Sequence, residues 1–443
     1  MKDFFHDLIS CLKEINPVRL VALGYLSYIF VGFILLSLPF MHTKYVNALD
    51  NLFIATSAVS TTGLTTVSVS DVYNFWGQLV TLILIQLGGI GYMTFSSFVI
   101  LSTKKYLDER TKNVAQVVFS IPKNFKIEKF ILSVIVFSSI VEIFGAVGLY
   151  FVFLQADIAN PLWNAIFHSV SAFCTAGFSL FSDSFEGMAN NAGLNVIISI
   201  LSIMGAMGFI VCVDIWRLIR GKVRHMTLTT KVIISMTLWL LIIGGSLMFL
   251  TENYGGGLSP ENKILLSLFQ SMTALTTVGF NTVTISTLSK SAIMLICILM
   301  IIGASPSGTG GGLKTTTFSA IWGLMRSTIK GDRDVRIFGA IVPEDRVKTA
   351  VATFSFYTFT LIAGTYILTM TENGMFIEIF FEAASALGTV GLSMGITSAL
   401  TVLGKLIVIM LMYIGRVGPL TFGMALYVKS ELIFDNEKTD LAI

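Results

Sequence analysis

The amino-acid sequence predicts an all-α membrane protein, with four tandem helix–pore-loop–helix units around one pseudo-four-fold pore per subunit. Three observations predict this class. Of the 443 residues, 54% are hydrophobic and 12% are charged, whereas about 25% are charged in a soluble domain. Apolar runs long enough to cross a membrane recur along the chain. One short glycine pattern also occurs four times, at intervals of roughly a hundred residues, and such repetition identifies a repeat architecture.

The apolar runs give eight candidate membrane spans, since a membrane-crossing helix needs about 20 mainly apolar residues. These spans are 18–41, 76–102, 127–155, 193–218, 229–250, 289–325, 347–370 and 402–428. They pair into four predicted repeats, which cover residues 18–102, 127–218, 229–325 and 347–428. A cytoplasmic N-terminal segment, 1–17, and a cytoplasmic tail, 429–443, flank the repeats.

Each pair of spans encloses a helix that is too short to cross the bilayer. The four predicted short helices are 48–60, 161–173, 260–275 and 375–387. Asn160 before Pro161 and Ser259 before Pro260 are typical of helix starts. Irregular backbone at membrane depth must be buried in protein or line a cavity, so four equivalent loops predict one shared cavity. The short helices would direct the negative ends of their dipoles toward it, which favours a cation.

A glycine loop follows each short helix. The four loops read Ser60-Thr61-Thr62-Gly63-Leu64, Cys174-Thr175-Ala176-Gly177-Phe178, Thr276-Thr277-Val278-Gly279-Phe280 and Gly388-Thr389-Val390-Gly391-Leu392. Glycine permits backbone angles that are closed to other residues, so successive carbonyl oxygens can face one axis. A ring of such carbonyls replaces the hydration shell of potassium in channel filters. The predicted filter, which is also the only predicted metal site, consists of Thr61, Thr62, Gly63, Thr175, Ala176, Gly177, Thr277, Val278, Gly279, Thr389, Val390 and Gly391.

The residues that precede the four glycines differ from one another, and the large residues that follow them are expected to support the loops from behind. We therefore expect weaker selectivity for potassium over sodium than four identical loops would give. Equal permeability to the two ions would contradict a filter of this kind.

The sixth span is interrupted at 303–317 by five glycines and one proline, which cannot keep a regular helix. One interpretation is a cytoplasmic linker between two shorter helices. However, residues 291–302 extend only about 18 Å at 1.5 Å per residue, little more than half of a hydrocarbon core of about 30 Å. We therefore predict an intramembrane gate below the glycine loops, formed by Gly303, Ser305, Ser307, Gly308, Thr309, Gly310, Gly311, Gly312, Lys314 and Arg416.

Arg416 lies inside the last predicted span. A charge at that depth costs about 2.5–3.5 kcal/mol on insertion scales, which makes the residue a functional candidate. It could hold the interrupted segment through hydrogen bonds to carbonyl oxygens, or it could repel ions. The alternative is an arginine whose side chain extends to the inner membrane boundary.

Lysine and arginine concentrate in segments 103–129, 217–231 and 326–348. The positive-inside rule places these segments and both termini in the cytoplasm, so all four glycine loops enter from outside. The outer side carries acidic residues, which either concentrate cations or only keep the loops soluble. Asp183 and Glu382 lie closest in sequence to glycine loops; the others are Asp50, Asp71, Asp157, Glu186, Glu252, Glu261, Glu372 and Glu378.

Several other classes fit the sequence less well. Four scattered cysteines give no disulfide framework or zinc site, and no catalytic constellation indicates an enzyme. Segment 308–315 lacks the spacing of a phosphate-binding loop. A secondary transporter also uses broken helices, but the spans contain few acids, mainly Glu142 and Asp214 near predicted helix ends. A membrane assembly subunit without transport of its own would have no use for four pore loops.

These features together resemble the Trk/Ktr/HKT superfamily of potassium transporters over nearly the whole chain. With eight spans, the chain is more similar to the KtrB type of membrane subunit than to the TrkH type. The resemblance implies that Gly63, Gly177, Gly279 and Gly391 are filter glycines, that 303–317 is the gating loop, and that Arg416 is the arginine of the final helix. Some relatives with serine in the first loop are similar to sodium carriers, whereas glycine fits potassium.

The resemblance also implies potassium uptake by a homodimer in the bacterial cytoplasmic membrane, with a separate pore in each subunit. It implies a cytoplasmic ring of nucleotide-binding RCK subunits, similar to KtrA, and sodium as an activator of uptake. We expect no covalently bound cofactor and no nucleic-acid partner. The alternative is a sodium-coupled or sodium-permeable secondary cation transporter.

Overall fold

The computed structural model describes residues 17–91, 127–221, 223–254 and 258–427. The predicted N-terminal segment, the tail, the end of the second span and most of the first basic segment lie outside the described residues.

The described chain is mainly helical, and its helices follow the four predicted repeats. Repeat 1 contains α1 Pro17–Leu36, α2 Ala48–Val59 and α3 Phe75–Ile90. Repeat 2 contains α4 Ile127–Gln155, α5 Pro161–Phe173, α6 Ala192–Met207 and α7 Phe209–Ile219. Repeat 3 contains α8 Leu228–Thr251, α9 Pro260–Thr276, α10 Lys290–Ile301 and α11 Thr315–Lys330. Repeat 4 contains α12 Glu344–Thr371, α13 Phe376–Gly388, α14 Val402–Val417 and α15 Pro419–Tyr427.

Small elements connect these helices. Strands β1 Arg336–Ile337 and β2 Ala340–Ile341 pair antiparallel between α11 and α12. One four-residue helix and four 3₁₀ turns occur elsewhere, at Val69–Val72, Pro39–Met41, Glu186–Met188, Ile285–Thr287 and Thr397–Ala399.

The first helix of each repeat is a continuous apolar span. These spans are Arg19–Leu36, Ile131–Gln155, Leu228–Thr251 and Glu344–Thr371. At most 33% of each apolar window is buried inside the protein, so most of its surface is left to face lipid. The four first helices therefore form the outer layer, and the short helices and glycine loops lie inside them.

The later helices of the repeats are not straight, which corrects the expectation of continuous spans at 193–218 and 402–428. Helices α6 and α7 meet at 95°, and α14 and α15 meet at 98°. The bends fall at Gly208 and Gly418, whose φ angles of 87° and 92° favour glycine. Helix α3 ends in the same way at Gly91, with φ 87°. In repeat 3 the predicted interruption occupies residues 302–314, between α10 and α11.

The short helices occupy their predicted positions, but their starts differ in detail. The Ser259 side chain accepts a hydrogen bond from the backbone N–H of Asn262 at 3.3 Å, as a helix cap should. Asn160 makes no such side-chain bond, because its backbone is left-handed, with φ 51°. Its carbonyl oxygen accepts from the Asn164 N–H instead, at 3.1 Å. The expected side-chain cap at Asn160 is therefore wrong.

Two clusters of buried apolar side chains support the loops. One lies mainly in repeats 1 and 2, and the other mainly in repeats 3 and 4. The large residues that follow the glycines are at most 1% exposed and belong to these clusters: Leu64, Phe178, Phe280 and Leu392. Their burial behind the loops matches the expectation from the sequence.

Candidate functional site

The four glycine loops meet in a closed ring. Each glycine packs against the carbonyl group of the residue that precedes the next glycine, in the order Gly63, Gly177, Gly279, Gly391 and back to Gly63. A Cβ atom added to any of the four would overlap that carbonyl oxygen. The oxygens concerned belong to Ala176, Val278, Val390 and Thr62 in turn. A larger residue at any of these glycines would therefore push two neighbouring loops apart.

The same backbone conformation recurs in every loop. The threonine two residues before each glycine is left-handed, with φ 52°, 50°, 58° and 50° at Thr61, Thr175, Thr277 and Thr389. The glycines follow with φ 93°, 65°, 82° and 95°. The N–H of the residue between them donates to a carbonyl of the short helix at 2.8, 2.8, 3.1 and 2.9 Å. This recurrence relates the loops by an approximate four-fold arrangement.

The interrupted segment of repeat 3 lies directly against the threonines of all four loops. We call residues 302–314 the interrupting loop. Thr309 and Gly311 make these contacts. The Thr309 carbonyl oxygen is 3.3 Å from Thr61 Oγ1, the Thr309 Oγ1 is 3.1 Å from Thr175 Oγ1, and the Gly311 N–H donates to Thr277 Oγ1 at 3.2 Å. Gly311 packs so closely against the Thr389 side chain that a Cβ atom would overlap it. The interrupting loop therefore covers one face of the ring.

Backbone hydrogen bonds hold the interrupting loop in place. The N–H groups of Ser305 and Thr309 donate to the carbonyls of Ala206 and Gly205 at the end of α6, at 3.0 and 3.1 Å. Lys314 Nζ donates to the Gly310 carbonyl at 2.6 Å. The loop is thus tied to a neighbouring repeat and to its own ammonium group.

Arg416 connects the interrupting loop to repeat 1. Its guanidinium donates to Thr61 Oγ1 at 2.9 Å, to the Gly89 carbonyl at 3.3 Å, and to the carbonyls of Thr309 and Gly88. These partners are all protein groups beside the ring. Arg416 therefore links the end of α14 to the first loop, the end of α3 and the interrupting loop.

A cavity of about 670 Å³ adjoins the interrupting loop. Among the described residues, its lining contains three basic side chains, Lys314, Arg346 and Arg416, and no acidic one. A cation that entered this cavity would meet a positive potential, which opposes its passage.

The outer acidic residues mostly hold the protein together. Glu252 accepts from the Ser289 N–H at 2.7 Å, and Glu372 accepts from the Thr401 N–H at 3.0 Å. Burial opposes ionisation of Glu252, but hydrogen bonds from Ser289 and from the backbone that follows Glu252 prevail and lower its pKa.

Glu382 corrects an expectation, because it lines no open vestibule. It is fully buried and accepts hydrogen bonds from Ser393 Oγ at 2.7 Å and Thr397 Oγ1 at 2.5 Å. Asp183, the other acid close to a loop, is exposed.

The two acids expected near the ends of the spans also differ from expectation. Glu142 lies in the middle of α4 and is 9% exposed. Gln86 Nε2 donates to both of its carboxylate oxygens, at 2.9 and 3.0 Å. Asp214, in α7, accepts from the Thr227 N–H at 2.8 Å and from its hydroxyl at 3.0 Å. The sequence gives no signal for the Glu142–Gln86 pair, since the two residues lie in different repeats.

Four tandem helical repeats that close a ring of glycine loops define a multi-pass membrane transport protein. Comparison with known proteins agrees with this class. The family model for TrkH, described as a cation transport protein, matches residues 27–433. The chain belongs to the TrkH family of cation transport proteins.

Relatives of this chain include two that are characterised by name. It is 36% identical to the potassium/sodium uptake protein NtpJ of Enterococcus hirae over 438 residues, which are 96% of each chain. It is 34% identical to the Ktr system potassium uptake protein B of Bacillus subtilis over 412 residues, which are 92% of each chain. The crystal structure of the potassium transporter TrkH from Vibrio parahaemolyticus matches with a TM-score of 0.69, over 91% of this chain and 84% of that one. That pair is 21% identical, so the match concerns the fold.

Proposed function

We propose that this protein takes up potassium across the bacterial cytoplasmic membrane, through the ring of glycine loops. The observation that carries the proposal is the closed ring itself, in which each filter glycine packs against a carbonyl of the next loop. Backbone carbonyls in such a ring can replace the water that potassium loses. A membrane potential supplies about 2.3 kcal/mol per charge per 100 mV, so a negative interior draws potassium inward without catalysis by an enzyme.

The proposed ion site consists of the backbone of the three residues that end in each glycine. Potassium is the substrate of this site, and the four glycines and the residues before them supply the carbonyl groups. The names of the relatives support the choice of ion, since NtpJ and the Ktr subunit are both potassium uptake proteins.

Rubidium uptake into a bacterium that lacks its own potassium uptake systems tests this function. The full chain is expressed with and without a candidate regulatory subunit. Uptake above the empty-vector level supports the proposal, and uptake that never exceeds that level in either arm contradicts it.

The interrupting loop and Arg416 form the proposed gate. Thr309 and Gly311 lie against the threonines of all four loops, where an ion leaving the ring would pass. Arg416 and Lys314 hold this loop through its carbonyl oxygens. Opening then requires these hydrogen bonds to break and the loop to withdraw.

A cytoplasmic ring of nucleotide-binding RCK subunits is the proposed partner that moves the gate, and the membrane subunit is a homodimer with both termini in the cytoplasm. The name of the Bacillus relative, a Ktr system protein, is consistent with a multi-subunit system. Co-purification with a KtrA-like protein from the same bacterium tests the partner. A membrane subunit that elutes alone, at the mass of a monomer, contradicts both assignments.

Sodium permeation is the second candidate function. It is favoured by the relative NtpJ, a potassium/sodium uptake protein, and by the different residues that precede the four glycines. Sodium then acts as a substrate or as an activator of potassium uptake. Competition of sodium against rubidium uptake separates the two roles, because a competing substrate lowers rubidium uptake and an activator raises it.

A further inference from the structure

The short helices share one buried position that faces the outer part of the glycine loops. It lies nine residues before each filter glycine and carries Ile54, His168, Gln270 and Glu382 in the four repeats. All four side chains are 0% exposed. Three of the four are polar, although each is surrounded by the apolar core, where an unpaired polar group is unfavourable.

In repeat 2, His168 holds the chain that leaves the loop. Its Nδ1 is 2.8 Å from the Asn164 carbonyl oxygen, which can only accept, so Nδ1 carries the hydrogen. Its Nε2 accepts from the Leu180 N–H at 3.3 Å and lies 3.0 Å from Ser179 Oγ. These partners assign a neutral imidazole that bridges the short helix and the residues just after Gly177.

Repeats 3 and 4 make the corresponding connection with other side chains. Gln270 Nε2 donates to Thr282 Oγ1 at 3.1 Å, and Thr282 lies three residues after Gly279. Glu382 accepts from Ser393 Oγ at 2.7 Å, and Ser393 lies two residues after Gly391. In three repeats, therefore, a buried hydrogen bond ties the short helix to the outer side of the loop.

Repeat 1 lacks this hydrogen bond, because Ile54 has no polar group. Thr66 lies three residues after Gly63 and corresponds to Thr282. It is 6% exposed, and its hydroxyl has no hydrogen-bond partner among the described residues. Equivalent threonines thus differ in one respect: the hydroxyl is bonded in repeat 3 and unpaired in repeat 1.

We propose that this buried position determines ion selectivity by fixing the outer part of each loop, and that the first loop is the least restrained of the four. His168, Gln270 and Glu382 are positioning residues, because they act on the ion site through the loop. A loop that moves outward or inward more easily adapts its carbonyl oxygens to sodium as well as to potassium. The inference rests on the proposed potassium uptake through the ring.

A matched pair of substitutions tests the inference in the full-length protein, reconstituted in liposomes. Thr282→Val and Thr66→Val make the same change at equivalent positions. Selectivity is measured as the sodium concentration that halves rubidium uptake. Thr282→Val should lower the selectivity for rubidium about fivefold, which corresponds to the loss of one hydrogen bond. Thr66→Val should leave it within about twofold of wild type, since no hydrogen bond is lost.

A gain-of-function variant and a double-mutant cycle complete the test. Ile54→Gln supplies the missing side chain and should raise selectivity, but only while the Thr66 hydroxyl is present. Gln270→Leu and Thr282→Val together should lower selectivity no more than either does alone, because both remove one interaction.

The outcomes separate this inference from the proposed function. Equal effects of Thr282→Val and Thr66→Val, together with no gain from Ile54→Gln, would overturn the inference while leaving uptake intact. No rubidium uptake by the wild-type protein would instead overturn the proposed function. Ile54→Gln keeps the inference testable if a repeat 3 variant does not fold.

Discussion

At the scale of single residues, Gly279 shows why the ring needs glycine. Its φ of 82° is unfavourable for other residues, and an added Cβ would overlap the carbonyl of Val390 in the next loop. The first constraint alone would permit a strained substitution at a cost of about 1–3 kcal/mol. The second cannot be relieved without moving two loops, so it links the identity of one residue to the shape of the whole ring.

Gly279→Ala should therefore abolish rubidium uptake, since the added methyl group displaces the neighbouring carbonyl. Gly331→Ala is the matched control, because Gly331 also has a positive φ, 72°, but nothing lies within 4 Å of its added Cβ. The control should keep uptake and lose only about 1 kcal/mol of stability. Uptake assays and thermal unfolding of both variants check this, and normal uptake by Gly279→Ala would contradict it.

Arg416→Gln should increase uptake in the absence of any regulatory subunit. The change removes guanidinium hydrogen bonds to the interrupting loop, and each hydrogen bond from a charged group contributes about 1.5–3 kcal/mol. Loss of one such bond shifts the closed–open equilibrium by about tenfold or more. Arg326→Gln is the control, because Arg326 is exposed on α11. Reduced or unchanged uptake by Arg416→Gln, with normal expression, would remove Arg416 from the gate.

The sequence predicts the filter residues better than their supports. The four glycines can be found because the pattern repeats, and Arg416 because a charge at membrane depth is rare. The burial of Glu382 could not be predicted, since an acid near a loop can face either water or the core. The missing bond of Thr66 depends on Ile54, twelve residues earlier, and is visible only when the repeats are superposed.

At the scale of helices, polar side chains at the outer ends connect the first helix of a repeat to a later one. Glu252 follows α8 and accepts from the N–H of Ser289, which caps α10, and Glu372 follows α12 and accepts from the N–H of Thr401, which caps α14. Repeats 3 and 4 thus use the same connection. A carboxylate near a helix N-terminus is also favoured by the helix dipole.

The lowered pKa of Glu252 predicts a pH dependence of stability. Because the folded state holds the carboxylate more strongly than the unfolded state does, the stabilisation is present above the unfolded pKa of about 4.3 and is lost as the pH falls through the folded pKa. Glu252→Gln should therefore have a lower melting temperature than wild type at pH 7, and the difference should disappear in acid.

Glu261→Gln, at an exposed position of α9, serves as the control and should leave the melting temperature at pH 7 almost unchanged. A difference between wild type and Glu252→Gln that grows as the pH falls would contradict the assignment.

The existence and limits of most helices follow from the apolar runs, but the right-angle bends do not. A glycine in an apolar run also occurs in straight helices, where it allows close packing. Gly208 and Gly418 become bends because their backbone takes a positive φ. In repeat 3 the longer run of glycines, together with Pro306, made the interruption predictable.

At the scale of the whole molecule, four repeats from one chain must close a ring, so repeat 4 has to contact repeat 1. The ion pair between Lys405 of α14 and Asp50 of α2 makes this connection at 2.7 Å. Its side chains are only 16% and 13% exposed. The sequence indicates that four units share an axis, but it gives no signal that these two residues meet, since they lie 355 positions apart.

Lys405→Met should destabilise the protein by about 1.5–3 kcal/mol, the range for a hydrogen bond to a charged group, because it leaves Asp50 without its partner. Lys348→Met is the matched control: Lys348 pairs with Glu344 at 2.8 Å, but the two side chains are 69% and 81% exposed. An exposed pair contributes about 0–1 kcal/mol. Thermal unfolding of the purified variants compares the two, and equal losses would contradict a role of Lys405 in closing the ring.

Anomalous diffraction from crystals grown in rubidium tests the proposed ion site most directly. A peak is expected inside the ring, coordinated by backbone carbonyls of all four loops, including those of Thr62, Ala176, Val278 and Val390. Rubidium bound only outside the ring, or a ring that stays empty at a rubidium concentration that supports uptake, would contradict ion passage through the glycine loops.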